Sequence, residues 1–371
     1  QIKGKEWDYV VCDESHMLNN HKTERTMHVI GGGSGKKKIE PIHAKKWVWL
    51  SGTPILHKPI ELWTMLSVFD SKGLGKNWLT YVRKYCDATK THFGWDTTGA
   101  AHEEELGLYL RQNFMVRRLK KDVLKELPPK TRHPIILPAE GLKRVVRKEY
   151  EVFCDNLARL DALNNDEPYS AEVLKDLPEE DIKALIADLI ETDSLPDWHD
   201  NIHDLEESEK IHFEAMSTAR EDMALAKLPM VQAYIDNLIL SGEKVVVFVV
   251  HKSAARALKE LYPKAALVVG GMSSTKKQAE VDRFNEDEEC NPIIGNLHAM
   301  GVGYTLVVSS HVVVVELPWD PSQAEQAEDR THRIGQVNYV TVHYLLVNGS
   351  IECLMIDALL AKQVVIGKIL D

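Results

Sequence analysis

The segment Gln326-Ala327-Glu328-Asp329-Arg330-Thr331-His332-Arg333-Ile334-Gly335-Gln336 places two arginines three residues apart near the end of the chain. That spacing is close to one helical turn, so a helix here would carry both guanidinium groups on one face, and Gly335 could end it. A convergent arginine pair suits the charge that builds on a transferred phosphoryl group. The alternative is a solvated helix whose arginines pair with neighbouring acids, namely Glu325, Glu328 and Asp329.

Composition describes an ordinary globular chain. Its 371 residues are enough for two or three domains, with 44% hydrophobic and 27% charged residues. It contains no apolar run of membrane-spanning length and no signal-peptide pattern, so no membrane partner is expected. Five scattered cysteines form no CxxC pair, which favours reduced thiols in an intracellular protein. The expected compartment is the nucleus in a eukaryote and the cytoplasm in a prokaryotic or viral system.

The net charge of −11 is unevenly distributed. Between Glu151 and Asp222 there are 22 acidic residues against 5 basic ones, and the rest of the chain has 40 basic and 34 acidic residues. The non-acidic parts could therefore still face a phosphate backbone. The acidic stretch is helical in pattern, and its His199 and His203 are spaced i,i+4; scattered surface histidines are a better explanation than a metal site.

Two strands are predicted near the start, and both are expected to be buried. The run from Trp7 to Cys12 ends in Asp13-Glu14-Ser15-His16, and Lys46 to Leu50 ends in Ser51-Gly52-Thr53-Pro54. Open parallel sheets bind ligands at the carboxyl ends of their strands. Asp13 could hold Mg²⁺ through water and Glu14 could orient or deprotonate an attacking water, although a turn or helix cap explains the pair equally well.

Two basic segments follow different patterns. The glycine-rich stretch from Gly31 to Lys38 fails the phosphate-loop pattern, because Lys37 stands where Ser or Thr is needed, and is interpreted as a flexible surface loop. From Met115 to His133 there are seven Lys/Arg and two acids, which predicts either a patch that follows a phosphate backbone or a solvated helix surface. Thr131 to Pro138 is predicted to be an extended connector.

A second α/β unit is predicted after Pro229. Strands alternate with helices, and the strand from Lys244 to Val250 is followed by His251-Lys252-Ser253. The strand from Pro292 to Leu297 opens into a turn with Met300-Gly301-Val302-Gly303, whose glycines could let backbone N–H groups approach a phosphate. This alternation predicts an α/β fold with a parallel sheet.

Taken in chain order, these motifs resemble the Swi/Snf-type helicase-like ATPases of helicase superfamily two. The resemblance rests on Asp13 to His16, Ser51 to Pro54, Arg117 to Lys120 with Leu127 to Lys130, Gly301 to Gly303, and Gln326 to Gln336. The pattern Glu316-Leu317-x-Trp319-x-Pro321 before Gln326 is most similar to the annealing-helicase, fork-remodelling branch and its microbial and viral relatives.

The resemblance implies two RecA-like lobes with ATP and Mg²⁺ in the cleft between them. Residues 1–133 would be the C-terminal part of lobe 1, residues 134–228 a connector with an acidic helical insertion, and residues 229–371 lobe 2 with a closing helix. The family's phosphate loop lies upstream of the acid pair, so the first lobe is expected to be only partly present and ATP hydrolysis to need the missing half-lobe.

The resemblance also implies roles for single residues. At the nucleotide it assigns Mg²⁺ to Asp13, the hydrolytic water to Glu14, arginine fingers to Arg330 and Arg333, and nearby contacts to Gln326, Gly301 and Gly303. For DNA contact and coupling it points to Ser51, Thr53, Arg117, Arg118, His251, Lys252, Ser273, Ser274, Lys277 and Met300.

The implied activity is an ATP-dependent motor that translocates on or remodels double-stranded or forked DNA, in DNA repair or chromatin remodelling. The acidic insertion would be a surface for a protein partner. Two alternatives remain: an ATPase-dead DNA-binding scaffold, and an RNA helicase of the same superfamily. Against the RNA helicase, Asp329 stands where those proteins carry Gly. Tyr304-Thr305-Leu306 also departs from the family's usual Leu-Asn-Leu run, which weakens the DNA assignments there.

Overall fold

The structure, a computed structural model, describes residues 4–21, 23–32, 38–52, 58–91, 94–97, 99–118, 120–164, 170–191, 207–301, 303–319 and 321–356. It describes the backbone alone for residues 91, 94, 121, 160–164, 179, 187–191, 207–213 and 321. The described residues form two compact units, which divide between Arg117 and Arg118.

The first unit is built around a pair of parallel strands and a small group of helices. Its elements are β1 (Glu6–Cys12), α1 (Glu24–Ile30), β2 (His43–Trp49), α2 (Leu62–Phe69), α3 (Trp78–Tyr85), β3 (Thr89–Thr91), β4 (Gly94–Asp96) and α4 (Glu103–Asn113). Strand β1 pairs in parallel with β2, and Cys12 lies opposite Trp49. Strands β3 and β4 form a separate antiparallel pair.

The core of the first unit lies between its helices and away from β1 and β2. Helices α2, α3 and α4 bury Leu62, Leu66, Tyr81, Val82, Tyr85, Leu106 and Leu110. All residues of β1 and β2 are exposed or half-buried. The two predicted strands therefore form, but the expectation that they are buried is wrong in this structure.

The second unit alternates strands with helices. Its elements are α5 (Lys120–Val123), β5 (Lys130–Leu137), α6 (Lys143–Asn164), α7 (Ala171–Asp176), α8 (Glu179–Glu191), α9 (Glu207–Ala226), α10 (Leu228–Leu240), β6 (Val245–Val249), α11 (Lys252–Leu261), β7 (Ala266–Val268), α12 (Ser274–Glu286), β8 (Ile293–Asn296), α13 (Leu297–Met300), β9 (His311–Val314), α14 (Pro321–Glu328) and β10 (Val340–Val347). Residues 351–356 are helical as well.

Six parallel strands form the sheet of the second unit, in the order β5-β10-β9-β6-β8-β7. Apolar cores cover both of its faces, which is why β6 can be a continuous apolar run and why β8 is buried along its whole length. The acidic helices α6 to α9 contribute buried apolar residues to one of these cores. The α/β fold class predicted from the alternation is confirmed.

Strand β5 differs from its prediction. Residues 130–137 pair along their whole length with β10, from Lys130 opposite Val340 to Leu137 opposite Val347, so this segment is a strand and not a connector. Pro134 lies within it, which is tolerated because β5 is at the edge of the sheet among the described strands, where one side of its backbone needs no ladder partner. This pairing places residues 118–137 in the second unit.

Within the part of the chain that the structure describes, no helix combines the length and apolarity that crossing a membrane requires. All five cysteine thiols are free.

Candidate functional site

The acid pair lies immediately after β1, at the carboxyl end of the parallel β1–β2 pair. Glu14 adopts left-handed backbone angles (φ 47°, ψ 48°), and its N–H donates to Oδ1 of Asp13 at 2.9 Å. Left-handed backbone is uncommon outside glycine and tends to occur at functional sites. Asp13 is exposed and Glu14 half-buried, so both carboxylates can reach a ligand.

His16 joins the acid pair to the end of the second strand. Its Nδ1 lies 3.2 Å from Oγ of Ser51 and 3.4 Å from Oε2 of Glu14, and its side chain is 8% exposed. The N–H of Ser15 donates to the carbonyl of Leu50 at 2.9 Å, which fixes the two strand ends to each other. Sequence reasoning missed this linking role of His16, although a histidine beside two acids is itself a signal. Thr53, which the resemblance pairs with Ser51 in coupling the nucleotide site to DNA, lies outside the described residues.

The chemistry of Asp13 fits the Mg²⁺ role predicted for it. Its exposed carboxylate offers the hard oxygen donors that Mg²⁺ takes, and this ion usually binds one or two carboxylates while keeping several waters. Among the described residues, no group of three or more His, Cys, Asp or Glu could hold a metal ion as a protein cage. Mg²⁺ would therefore depend on water and substrate phosphates for its other ligands.

Residues 329–336, here called the arginine loop, are not helical as the spacing predicted. Helix α14 ends at Glu328, and the N–H groups of Thr331 and His332 both donate to the carbonyl of Glu328 at 3.1 Å. Gly335 has a φ of +101°, which favours glycine over any other residue and closes the turn. Arg330 and Arg333 therefore lie in turns that follow the helix, and the helical part of the prediction is wrong.

Gln336 holds the arginine loop closed from within. Its amide nitrogen donates to the carbonyls of Val307, Ser309 and Thr331 at 3.2, 2.8 and 3.2 Å. Its amide oxygen accepts from the next two backbone N–H groups at 3.0 and 2.9 Å. The side chain is 5% exposed, so this glutamine has a structural role that its place at the end of the motif did not reveal.

The arginine loop also contacts the residues after the Gly301–Gly303 turn. Arg333 Nη1 donates to the carbonyl of Tyr304 at 3.2 Å, and the N–H of Leu306 donates to the carbonyl of Arg330 at 2.9 Å. Arg330 Nε donates to the carbonyl of Gln326 at 3.0 Å. The structure thus brings together three predicted elements: both arginines, Gln326 and the glycine turn.

Within that turn the three predicted residues differ. A Cβ on Gly301 would lie 2.4 Å from the carbonyl oxygen of Leu297, so the position requires glycine for close packing. Gly303 is exposed with a φ of +86°, which leaves its backbone open to a ligand. Met300, which was predicted to lie near the phosphate backbone or the cleft, is fully buried and fills the space beside Gly295, so its side chain is not available to DNA in this structure.

Glu328 is the most heavily bonded acid beside the loop, and its partners come from the basic segment. Arg132 Nε donates to both carboxylate oxygens at 2.9 and 3.0 Å, Lys130 Nζ lies 2.7 Å away, and the hydroxyl of Tyr344 donates at 2.5 Å. Burial alone would raise the pKa of Glu328, but the charges of Lys130 and Arg132 outweigh it and lower the pKa to about 2.

The partners of Glu328 bear on two predictions: the solvated helix at residues 326–336 and the phosphate-contacting patch at residues 115–133. Glu328 is buried between basic residues of β5, so the alternative of a solvated helix that pairs it with the loop arginines is wrong at this residue. Lys130 and Arg132 also cannot follow a phosphate backbone while they hold Glu328. Arg118 is exposed and Arg117 half-buried, and their predicted DNA role remains a prediction.

The predicted DNA residues of the second unit lie after the strands of its sheet. Both ring nitrogens of His251 are engaged: Nδ1 is hydrogen-bonded to the buried carboxylate of Glu316, and Nε2 lies 3.2 Å from Oγ of Ser217. Lys252 is exposed, and a Cβ on Gly270 would lie 2.9 Å from its Cε, so its stem crosses the end of β7.

Three more of these residues lie at the start of α12. Ser273 caps the helix by accepting from the N–H of Lys276 at 3.3 Å; Ser274 is exposed and Lys277 half-buried. The predicted DNA contacts of these residues remain predictions.

Comparison with known proteins finds two domains in this chain. Residues 1–179 match the SNF2-related domain, and residues 226–335 match the helicase conserved C-terminal domain. The DNA annealing helicase and endonuclease ZRANB3 of Bos taurus is 30% identical over 383 residues, which cover 100% of this chain and 30% of that protein. The SWI/SNF-related matrix-associated actin-dependent regulator of chromatin subfamily A-like protein 1 of Drosophila melanogaster is 28% identical over 374 residues, covering 100% and 42%.

Two solved structures show a distant likeness. The C-terminal part of the Fun30 ATPase domain is 18% identical with a TM-score of 0.40 and covers 66% of this chain and 98% of its own. The Sulfolobus solfataricus SWI2/SNF2 ATPase core in complex with dsDNA is 20% identical with a TM-score of 0.36 and covers 99% and 70%. Scores this low carry no further weight.

The chain spans 30% and 42% of the length of the two curated relatives described above. Both domain matches occur in the order that the motifs predicted, with the acid pair in the first and most of the arginine loop in the second. ZRANB3 is by name an annealing helicase, in agreement with the branch that the Glu316 to Pro321 pattern indicated. The chain belongs to the SNF2-related family of helicase-like ATPases.

Proposed function

We propose that this chain is the core of an ATP-dependent motor that translocates on, or remodels, double-stranded DNA. The observation that carries the proposal is the arginine loop, in which Arg330 and Arg333 are held on a backbone fixed by buried contacts beside the Gly301–Gly303 turn. Such a loop is suited to stabilising charge on a transferred phosphoryl group. A scaffold that only bound DNA would need no pre-arranged arginine pair.

In the proposed motor, the acid pair of the first unit and the arginine loop of the second serve one nucleotide. Glu14 would orient the attacking water and accept its proton, and Asp13 would hold Mg²⁺ through water. When bound with ATP, Mg²⁺ neutralises part of the phosphate charge. Arg330 and Arg333 would supply the remaining positive charge as it develops on the γ-phosphoryl group.

Contact with DNA would be mainly to phosphates, through the exposed residues at the carboxyl edge of the second sheet. Lys252, Ser273 and Ser274 are exposed there, and lysine and serine side chains commonly bond to phosphate oxygens, which carry no sequence information. Binding should therefore be independent of sequence and weaken with salt. Because both ring nitrogens of His251 are engaged within the protein, Lys252 is the better candidate for a phosphate contact at this strand end.

Forked DNA is the substrate that we favour, since the relative ZRANB3 is named as a DNA annealing helicase. The acidic helices would offer a surface to a basic protein partner. The motor would work in the nucleus of a eukaryote or the cytoplasm of a prokaryotic or viral system. Hydrolysis also needs a phosphate loop, which this family places upstream of the acid pair, so the intact protein is the material to test.

The test is steady-state ATP hydrolysis by the intact protein, titrated with single-stranded, duplex and forked DNA. Stimulation by duplex or fork is expected. Glu14→Gln should lower the stimulated rate by about 10²-fold or more, as expected for the loss of a general base. Arg333→Ala should lower it by about 10³-fold, as expected for the loss of an arginine finger. Both variants should still bind duplex DNA.

Three outcomes would contradict the proposal. Normal hydrolysis by Arg333→Ala would remove the finger assignment. No hydrolysis with any nucleic acid, while duplex DNA still binds, would favour the ATPase-dead scaffold. Stronger stimulation by RNA than by DNA would favour an RNA helicase of the same superfamily.

A further inference from the structure

Residues 120–132, here called the strap, lie near the start of the second unit. They are bonded to the arginine loop and to Glu328, which directly precedes it. The strap residues that make these contacts are Lys120, Pro128, Lys130 and Arg132, and their partners are Glu328, Asp329 and His332. The two segments are about 200 residues apart in sequence, so only the fold brings them together.

The first part of the contact is the anchor at Glu328. This carboxylate is 0% exposed and receives the guanidinium of Arg132 through Nε at 2.9 Å and Nη2 at 2.7 Å. A guanidinium bonded through two nitrogens fixes orientation as well as distance. Tyr344 of β10 donates to the same carboxylate, so the anchor is tied to the sheet as well as to the strap.

The second part surrounds Arg330 on both sides. Before it, Asp329 pairs with Lys120 and, through Oδ1 at 3.1 Å, with Lys130. After it, the carbonyl of His332 accepts from Lys120 Nζ at 3.2 Å. His332 Nε2 lies 2.8 Å from the carbonyl of Pro128, a contact that requires the proton on Nε2.

These contacts act on the loop backbone and its acids. The arginines make their own described bonds to backbone carbonyls, Arg330 to Gln326 and Arg333 to Tyr304. The direction of each guanidinium therefore depends on where the loop backbone is held. A loop whose backbone is held next to the buried carboxylate of Glu328 is preorganised, which matters for a group that must meet developing charge at a defined point.

We propose that the strap positions the arginine loop, so that Lys120, Lys130, Arg132 and Glu328 are positioning residues for Arg330 and Arg333. The catalytic consequence rests on the function proposed above, whereas the positioning itself does not. The strap also explains part of the basic segment: three of its seven Lys/Arg form ion pairs with carboxylates of the same unit.

The positioning is tested by hydrogen exchange in the intact protein with Arg132→Ala. Amides of residues 329–336 should exchange at least about tenfold faster than in the unchanged protein, because the loop loses its fixed anchor. Amides of β6 should stay as protected as before. The matched control is Arg283→Ala, which removes another guanidinium–carboxylate pair of the same unit, to Glu280, and should leave the loop unchanged.

The catalytic consequence is tested by DNA-stimulated ATP hydrolysis. Arg132→Ala should lower kcat by about 10- to 100-fold while KM for ATP and duplex affinity change less than about twofold, since the loss is confined to the transition state. Adding Arg132→Ala to Arg333→Ala should cost less than the two separate losses combined, because both changes act through the same loop, where Arg330 remains. Arg132→Lys should recover only part of kcat, since lysine keeps the charge without the fork.

Unchanged amide hydrogen exchange of residues 329–336 in Arg132→Ala would overturn the proposal that the strap positions the arginine loop. So would fully additive losses in the double variant, or a fall in duplex affinity as large as the fall in kcat, which would mark Arg132 as a phosphate contact. If the unchanged protein hydrolysed no ATP, the proposed function would fail and the exchange result alone would decide the strap. Should Arg132→Ala not fold, Lys120→Met replaces it, with an expected rise in loop exchange of about threefold.

Discussion

The acid pair of the first unit and the arginine loop of the second both carry charged groups, but they are held in different ways. The acid pair follows β1, whose residues are all exposed or half-buried, and Glu14, with a side chain 38% exposed, contacts His16, which in turn contacts Ser51. The arginine loop adjoins Glu328, which is 0% exposed and bonded to three side chains.

The difference shows how burial changes what a charge pair can do. Coulomb attraction is weakened by water at the surface and much less so in the interior, where removal of one partner leaves an uncompensated charge. The arginine loop should therefore be rigid and intolerant of changes in its anchor. The acid pair should be held more loosely and tolerate changes in its surroundings.

The largest expected effect comes from removing the anchor. Glu328→Ala leaves Lys130 and Arg132 without the carboxylate that they share and should lower the free energy of unfolding of the second unit by about 3–5 kcal/mol. The measurement is urea denaturation of the intact protein, followed through the exchange of β10 amides. Glu280→Ala, which removes a half-exposed carboxylate paired with Arg283, is the control. A loss under about 1 kcal/mol for Glu328→Ala would contradict the contrast between buried and exposed pairs.

The next effect concerns Glu149, a 1% exposed acid of α6. Burial first, and then the negative charge of Glu352, raise its pKa from the usual value of 4.5 to about 7. Because the folded pKa lies above the unfolded one, its contribution to stability is fully present below pH 4.5 and is lost as the pH rises through 7. The loss is on the order of 3 kcal/mol as an upper limit.

Unfolding free energies of the second unit at pH 5 and pH 8 check this expectation. In Glu149→Gln, the part of the change in unfolding free energy between pH 5 and pH 8 that is due to this group should disappear, because glutamine does not titrate. An equal change in unfolding free energy with pH in the variant and the unchanged protein would show that other groups control the pH dependence.

A smaller effect is expected at the acid pair. Ser51→Ala removes the hydroxyl that lies 3.2 Å from Nδ1 of His16 and should lower the stability of the first unit by about 0.5–1.5 kcal/mol, as for one hydrogen bond. Exchange of β1 amides would measure it, with the exposed Ser71→Ala as a control. Equal effects of the two serine changes would mean that the contact between His16 and Ser51 holds nothing in place.

The smallest effect is expected on the surface of the same strands. Lys45 and Asp8 pair across β1 and β2 at 2.8 Å with side chains 62% and 77% exposed. Lys45→Ala should not change the exchange of β1 amides beyond experimental error, and high salt should make no further difference, because exposed pairs are screened. A clear destabilisation that disappears in 1 M salt would show that surface pairs matter more in this unit than in the second.

Much of the second unit could be predicted from sequence because its signals are local. Strand β6 is an apolar run and β10 is mostly apolar, and the helices between them give the alternation of a parallel sheet. Strand β5 was missed because Pro134 and the preceding Pro128-Pro129 argue against a strand. Only its position at the edge of the sheet makes that proline acceptable, and the edge is a property of the whole topology.

The arginine loop shows the limit of spacing as evidence. Two arginines three residues apart predict a shared helical face only if the helix continues, and α14 ends at Glu328. Whether a helix continues there depends on the internal bonds of Gln336 and on partners of Glu328 that lie about 200 residues earlier in the chain. Pattern within a short window cannot contain that information.

The sequence by itself determined which chemical groups this protein carries and in what order: an acid pair, a serine-threonine strand end, a basic segment and an arginine pair. These groups and their order were enough to identify the family, because the order of motifs is a property of the sequence itself. Only the tertiary structure decided which charged groups pair with each other inside the protein, as Glu328 and Arg132 do, and which stay exposed, as Asp13 does. The physical reason is that burial and non-local partners set the strength of a charge, and both arise when distant segments pack together.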